Sequence, residues 1–263
     1  MNFPASGDGA LSVVPLPAFS DNYIWMLRRG AHVVAIDPGD ANVVQDWLQQ
    51  NDAQLEAILI THHHSDHTGG ILELTRGRDI PVYGPAAHDI AGVTQGVAEG
   101  ERVELPPLEL QFEVLEVPGH TTTHIAFFGH GMLFPGDTLF SAGCGRLLGG
   151  TAEQLHHSLE RLKQLPGDTQ VYCTHEYTLS NLRFAQAAEP DNPQRDEWLT
   201  RCEQLRARGE PTLPSKIATE LAINPFLRTE EEGVQQAIAR HSGKRPQDAL
   251  QCFTSLRRWK DVF

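Results

Sequence analysis

The segment Thr61-His62-His63-His64-Ser65-Asp66-His67-Thr68-Gly69-Gly70 constrains this chain more than any other. Four histidines and a carboxylate fall within six residues, directly behind the apolar run Ala57-Ile58-Leu59-Ile60. Such a run reads as a buried strand that opens into a loop. Side chains of an extended segment alternate with period two, so His62, His64 and Asp66 point to one side. His67 breaks the alternation, which suits a chain turning into a helix at Gly69-Gly70. Imidazole nitrogens and carboxylate oxygens are ligands for zinc, iron and manganese. The segment predicts a metal site at a strand end.

Three later segments supply what such a site still lacks. Val114-Leu115-Glu116-Val117 runs into Pro118-Gly119-His120, Met132-Leu133-Phe134 into Pro135-Gly136-Asp137, and Gln170-Val171-Tyr172-Cys173 into Thr174-His175. In layered α/β folds, sites gather outside strand ends, where loops from several strands converge. The four strand ends offer seven ligands: His62, His64, Asp66, His67, His120, Asp137 and His175. Asp137 is the natural shared one, because a carboxylate has two oxygens and can bridge two cations. His63, on the opposite parity, is expected to contact a ligand from behind or to face solvent. His124 reads equally as support for a ligand and as simple packing. His32, His88, His130, His156, His157 and His241 have no partner pattern. Cys144, flanked by glycines, has no base to make it a nucleophile.

Around this site the chain reads as strands first and helices later. Strands are expected at 12–16, 23–27, 32–36 and 80–84, and strand pairs over 101–117 and 124–134. A helix over 43–50 follows Asp37-Pro38-Gly39-Asp40, and another is expected near 70–75. Asp37 reads as a turn former before Pro38, with contact to a ligand as the other reading. After Glu176 the pattern turns helical, at 179–188, 194–208, 229–241 and 247–259. These elements predict an α+β chain of 263 residues, a sheet-on-sheet core covered by helices over 11–177 and a helical domain over 178–263. His175 would then lie at the seam.

The formal net charge of −13 argues against a nucleic-acid or anionic-membrane binder. Met1–Pro17 lacks the basic and continuous apolar regions of a secretory signal, and no apolar run reaches membrane-spanning length. Four cysteines without CxxC spacing fit reduced thiols in a cytoplasmic protein. Residues 1–10 read as a loose extension, and nothing demands more than a monomer.

The pattern T-H-x-H-x-D-H resembles that of the metallo-β-lactamase superfamily. Pro135-Gly136-Asp137-Thr138-Leu139-Phe140-Ser141-Ala142-Gly143-Cys144-Gly145-Arg146 and Tyr172-Cys173-Thr174-His175-Glu176-Tyr177-Thr178-Leu179-Ser180-Asn181-Leu182 are more narrowly similar to glyoxalase II, the hydroxyacylglutathione hydrolases. The likeness runs from Asp21-Asn22-Tyr23 through Asn224-Pro225-Phe226 to Arg257-Arg258-Trp259-Lys260-Asp261. It implies an αββα sandwich with a dinuclear metal site, then a smaller helical domain that helps hold glutathione. One metal would take His62, His64 and His120, the other Asp66, His67 and His175, with Asp137 between them. Asp66 and Asp137 would thus be the catalytic carboxylates. The ions would be two divalent metals, zinc foremost, with iron and manganese also accepted by such ligands.

The implied reaction is hydrolysis of S-D-lactoylglutathione to glutathione and D-lactate by a metal-bridging hydroxide, a step of methylglyoxal detoxification. A thioester suits the site because a thiolate leaves without prior protonation. Positions Arg146, Tyr177, Arg257 and Lys260 match the family's glutathione contacts. One departure is Leu148, where better-studied relatives carry an aromatic hydroxyl. The alternatives are a mononuclear iron persulfide dioxygenase of the same superfamily and a non-enzymatic metal-binding protein. The first would not need a helical domain bearing Arg257 and Lys260, and the second would be expected to have lost a ligand.

Overall fold

The computed structural model describes residues 9–263, so the expected extension falls, over residues 1–8, outside the described residues. Two units can be distinguished. The first runs to Glu116 and takes in Thr123–Gly136; the second comprises Val117–Thr122 and Asp137–Phe263.

Every residue from Asn22 to Leu27 is buried, which requires a layer on each face of that strand. In the first unit β1 (Leu11–Ala18), β2 (Asn22–Arg29) and β3 (His32–Ile36) pair antiparallel. Helix α1 (Ala41–Gln50) then crosses over to β4 (Gln54–Leu59), which lies parallel to β3. Asp40 caps this helix by accepting from the Asn42 amide at 2.9 Å. Its face Ala41, Val44 and Leu48 joins a core with Ile24, Met26, Val33, Ala35 and Ile58. Tyr23, Trp25 and Leu27 alternate with these residues and are buried on the opposite face. Each fully buried Val, Leu or Ile contributes roughly 1.5–3 kcal/mol.

After β4 come the single-turn helices α2 (Ser65–Thr68) and α3 (Ile71–Leu74), then β5 (Val82–Pro85) and β6 (Gln95–Val97), which continue the sheet in parallel. The strands β7 (Arg102–Leu105), β8 (Leu110–Glu116), β9 (Ile125–Gly129) and β10 (Met132–Phe134) form a second, antiparallel ladder. Parallel β3 and β4 end side by side, the Asp37 amide donating to Leu59 O at 2.9 Å. Asp37 and Thr61-His62 thereby emerge at one sheet edge, the usual place for a site.

The second unit opens with a short hairpin, β11 (Leu139–Phe140) with β12 (Gly143–Cys144), and helix α4 (Ala152–Leu162). The two-residue strand β13 (Gln170–Val171) pairs with β14 (Ser215–Lys216). Helices α5 (Thr178–Ala188), α6 (Pro193–Ala207), α7 (Ile217–Ile223), α8 (Glu232–Ser242) and α9 (Ala249–Asp261) make up the rest. Ala142, Leu182, Cys202 and Ile223 form a core that Trp198 and Leu199 flank. Gly243 ends α8 in the left-handed conformation, φ 75°, as its sequence position predicts.

Helices α4 and α7, like the single turn α2, go beyond the sequence reading. Helix α4 starts in a full capping box between Thr151 and Gln154, a T-x-x-Q signal that the strand pattern around it masks. Helix α7 is seven residues long, too short for periodicity to declare it. No helix among the described residues is long and apolar enough to cross a membrane. All four cysteines are free thiols and buried.

Candidate metal centre

The strand that leads into the histidine segment ends at Leu59, and the chain does not continue extended to Asp66. Helix α2 begins at Ser65, so Asp66 sits in a first helical turn and His67 follows it there. His62 and His64 still meet, Nε2 to Nδ1, but past a bend at Thr61-His62 and not along an extended strand, and Asp66 follows in a turn of helix. This turn packs backbone against backbone on the Asp37-Pro38-Gly39 corner. A Cβ on Gly39 would come within 1.9 Å of Asp66 O, so only glycine fits there.

Asp37 is the hub of this half of the site. It is 2% exposed and has φ 51°, a left-handed conformation that aspartate tolerates better than most residues. Its Oδ1 accepts from the Thr61 amide and its Oδ2 from Thr61 Oγ1, both at 2.8 Å. Oδ2 also lies 3.1 Å from His67 Nδ1. Asp37 is thus both the turn residue before Pro38 and a contact of His67, and the turn is how it gets there. Thr61 Oγ1, having donated to Asp37, can accept from His62 Nδ1 at 3.1 Å. These bonds turn the Nε2 atoms of His62 and His67 toward their neighbours, the orientation that outer partners impose on metal-binding imidazoles. His62 Nε2 comes to 3.0 Å from His64 Nδ1, and His67 Nε2 to 3.4 Å from Asp66 Oδ2. Asn22 steadies Asp66 by donating to Oδ2 at 3.0 Å.

In the second unit the same spacing recurs around Asp137. Oδ2 is 3.5 Å from His120 Nε2 and Oδ1 is 3.4 Å from His175 Nε2, so each oxygen faces one histidine. The other ring nitrogen of His120, Nδ1, donates to Arg146 O at 2.8 Å. Two ligands bound about 2.1 Å from a tetrahedral ion lie about 3.4 Å apart, longer than a hydrogen bond. The His67–Asp66, His120–Asp137 and His175–Asp137 separations match that value. These donor clusters are of the kind that holds a divalent metal.

The remaining expected residues divide by exposure. Tyr177 is half-buried and stacks on His175, ring centroids 4.7 Å apart at 4°. Arg146 is exposed, and Lys260 is half-buried. Burial lowers the Lys260 pKa below the usual lysine value, as do the neighbouring Arg257 and Arg146 charges. Arg257 differs from the other three. It is 3% exposed, donates to Cys144 O at 2.9 Å and to Asp261 Oδ1 at 3.0 Å, and lies over the Phe226 ring. Leu148 is 58% exposed and brings no hydroxyl. Burial pushes the Cys144 thiol up to about 11, in keeping with a thiol that is no nucleophile.

His124 stacks on His62 at 4.5 Å and 19°, a packing support. His63 stacks on His88 with centroids 4.0 Å apart and planes 5° from parallel. We expect His63→Ala to keep the full metal complement and most of the activity. A drop in metal content like that of His62→Ala, measured by elemental analysis, would show that His63 is a ligand.

Residues 19–175 match the family model of the metallo-beta-lactamase superfamily, and residues 176–263 match that described as hydroxyacylglutathione hydrolase C-terminus. A hydroxyacylglutathione hydrolase of Chromohalobacter salexigens is 52% identical over 258 residues, covering 96% of this chain and 100% of that protein. ETHE1 from Myxococcus xanthus shares the fold, with TM-score 0.64 and 24% identity over 95% of this chain and 99% of that one. The di-iron-bound form of TTHA1623 gives TM-score 0.59 and 26% identity over 82% of this chain and all (100%) of that one. The expected α+β metallo-β-lactamase fold followed by a helical domain is what these matches and the elements above describe. With both family models matched end to end along residues 19–263, this chain belongs to the hydroxyacylglutathione hydrolase family of the metallo-β-lactamase superfamily.

Proposed function

We propose that the protein hydrolyses S-(2-hydroxyacyl)glutathione thioesters, S-D-lactoylglutathione among them, to glutathione and the 2-hydroxy acid. The observation that carries this reading is the Asp137 carboxylate, with one oxygen at ligand spacing from His120 and the other from His175. Seven donors are assigned to two ions. One ion would take His62, His64 and His120 and the other Asp66, His67 and His175, two of the donor groups close enough to hold a metal, with Asp137 assigned as the shared carboxylate. The di-iron form of a 26%-identical structure supports the count of two. Zinc is the metal assigned, since histidine and carboxylate donors at tetrahedral spacing suit it.

When bound, the metals activate a water molecule as nucleophile at neutral pH and polarise the thioester carbonyl. The protein does the rest. Asp66 and Asp137 reduce the charge of the site and fix its geometry, the former steadied by Asn22. Lys260 and Arg146 are assigned to the carboxylates of glutathione, and the Tyr177 hydroxyl to the same ligand. Arg257 supports that subsite from the buried side of α9. The leaving thiolate needs no acid, because a free thiol has a pKa of only about 8.5. We assign residues 11–177 as the catalytic domain and 178–263 as the substrate-binding domain of a cytoplasmic monomer. The mononuclear dioxygenase alternative has no observation in its favour beyond the shared superfamily.

The test combines metal analysis with steady-state kinetics on S-D-lactoylglutathione. Two metals per chain and release of glutathione are the expected result; one iron and oxygen consumption would overturn the reading. Lys260→Ala should raise KM several-fold or more, on the order of 1–3 kcal/mol for a lost charge-assisted bond, and change kcat less. An unchanged KM would remove α9 from the binding site.

A further inference from the structure

The hairpin that follows Asp137 is held by side chains from three different helices. Asn181, on α5, donates to Ser141 O at 3.1 Å. Glu220, on α7, accepts from the Ala142 amide at 2.7 Å, and Asn224, just past the end of α7, donates to Phe140 O at 3.2 Å and Gly143 O at 2.9 Å. Arg257, on α9, donates to Cys144 O at 2.9 Å. Five consecutive residues, Phe140 to Cys144, thus each have a backbone group held by one of four side chains. Glu220 and Asn224 are fully buried and bond each other at 3.1 Å. Among the held residues is Ala142, with φ 55°, a left-handed conformation that alanine adopts only where its surroundings impose it.

The held segment leads straight to the ligands. Gly145 lies so close to Asp137 that a Cβ on it would come within 2.0 Å of Asp137 O. The next residue, Arg146, offers the carbonyl that fixes His120 Nδ1, and the Leu148 amide donates to His120 O at 2.9 Å. A shift of the hairpin would therefore turn the His120 ring and move the Asp137 backbone together. We infer that Glu220, Asn224, Asn181 and Arg257 are positioning residues that set the angle of the His120 and Asp137 donors. The C-terminal helices thereby tune metal affinity, in addition to any contact they make with substrate. This inference rests on the reading of His120 and Asp137 as metal ligands.

A purely structural clamp would cost stability and nothing else, whereas a positioning role changes metal affinity in a folded protein. The decisive variants are Asn224→Ala and Arg257→Lys. The second keeps a cation for glutathione but loses the guanidinium fork that reaches Cys144 O. Zinc affinity is measured by competition with a chromophoric chelator, without substrate. Thermal melting of each metal-free variant shows that it folds. We expect zinc to bind about tenfold or more weakly in both variants. At saturating zinc, kcat of Asn224→Ala should fall while its KM stays within about twofold of wild type. Lys260→Ala should leave zinc affinity unchanged. Should Asn224→Ala fail to fold, Arg257→Lys carries the test. Zinc affinity equal to wild type in the folded variants would overturn the inference. Wild-type protein that takes up no metal would instead sink the reading of the ligands, and this inference with it.

Discussion

Asp137→Ala is expected to reduce thioester hydrolysis by about a thousandfold or more and to strip the protein of its metals. The reason is geometric. Oδ2 stands 3.5 Å from His120 Nε2 and Oδ1 stands 3.4 Å from His175 Nε2, so one substitution removes a donor beside each histidine. The negative charge that would offset the proposed cations goes with it. Asp137→Asn should be nearly as damaging, since an amide keeps one acceptor oxygen and turns the other position into a donor. Folding is not at stake, because the side chain lines a polar site and fills no apolar core. Elemental analysis of the purified variants decides the matter. Two metals per chain in Asp137→Ala would sink the bridging assignment.

The second large effect is expected at Asp37, which is no ligand in our assignment. Asp37→Ala leaves the Thr61 amide, the Thr61 hydroxyl and His67 Nδ1 without the acceptor that now serves all three. Hydrogen bonds to a buried carboxylate contribute about 1.5–3 kcal/mol each, and effects within one network do not add fully. Alanine is also less tolerant than aspartate of φ 51°. The metal-free protein should lose about 2–4 kcal/mol of stability in a urea titration. Metal affinity should fall roughly 10–100-fold, because His67 loses the bond that orients it and Thr61, the ring partner of His62, loses its anchor. Stability and affinity both equal to wild type would show that the Asp37 contacts are incidental.

These two residues also mark how far the sequence could be read. Asp137 was legible because the same event, a short apolar strand ending in a ligand type, recurs at His62, His120 and His175. Strand-end chemistry repeats visibly along the chain. Asp37 was harder, since an aspartate before proline has an ordinary explanation as a turn former, and the chain between 37 and 61 hides their adjacency. Only the parallel pairing of β3 with β4 brings those strand ends together. Asp66 was named for a reason that did not hold, period-two alternation, and reaches its neighbours through the turn of α2 instead. Arg257 shows the opposite limit. The spacing of Arg257 and Lys260 puts both on one helix face, and nothing in that spacing distinguishes the buried cation from the half-buried one. The hairpin clamp was illegible altogether, because its side-chain bonds reach backbone groups up to 113 residues away, and only local bonds such as helix caps leave a pattern in a sequence.

In the proposed glutathione site, the cations Arg146 and Lys260 have a consequence for how substrate arrives. The protein as a whole carries −13, and glutathione is itself an anion, so at long range the two repel each other. Attraction begins only where the local positive field outweighs the global one. The Debye length is about 30 Å at 0.01 M ionic strength and about 8 Å at 0.15 M. Added salt should therefore first hasten encounter, by damping the distant repulsion. At higher concentrations it should shorten residence, by damping the nearby attraction. Catalytic efficiency would then pass through a maximum at intermediate ionic strength, where a uniformly basic binding face would show only decline.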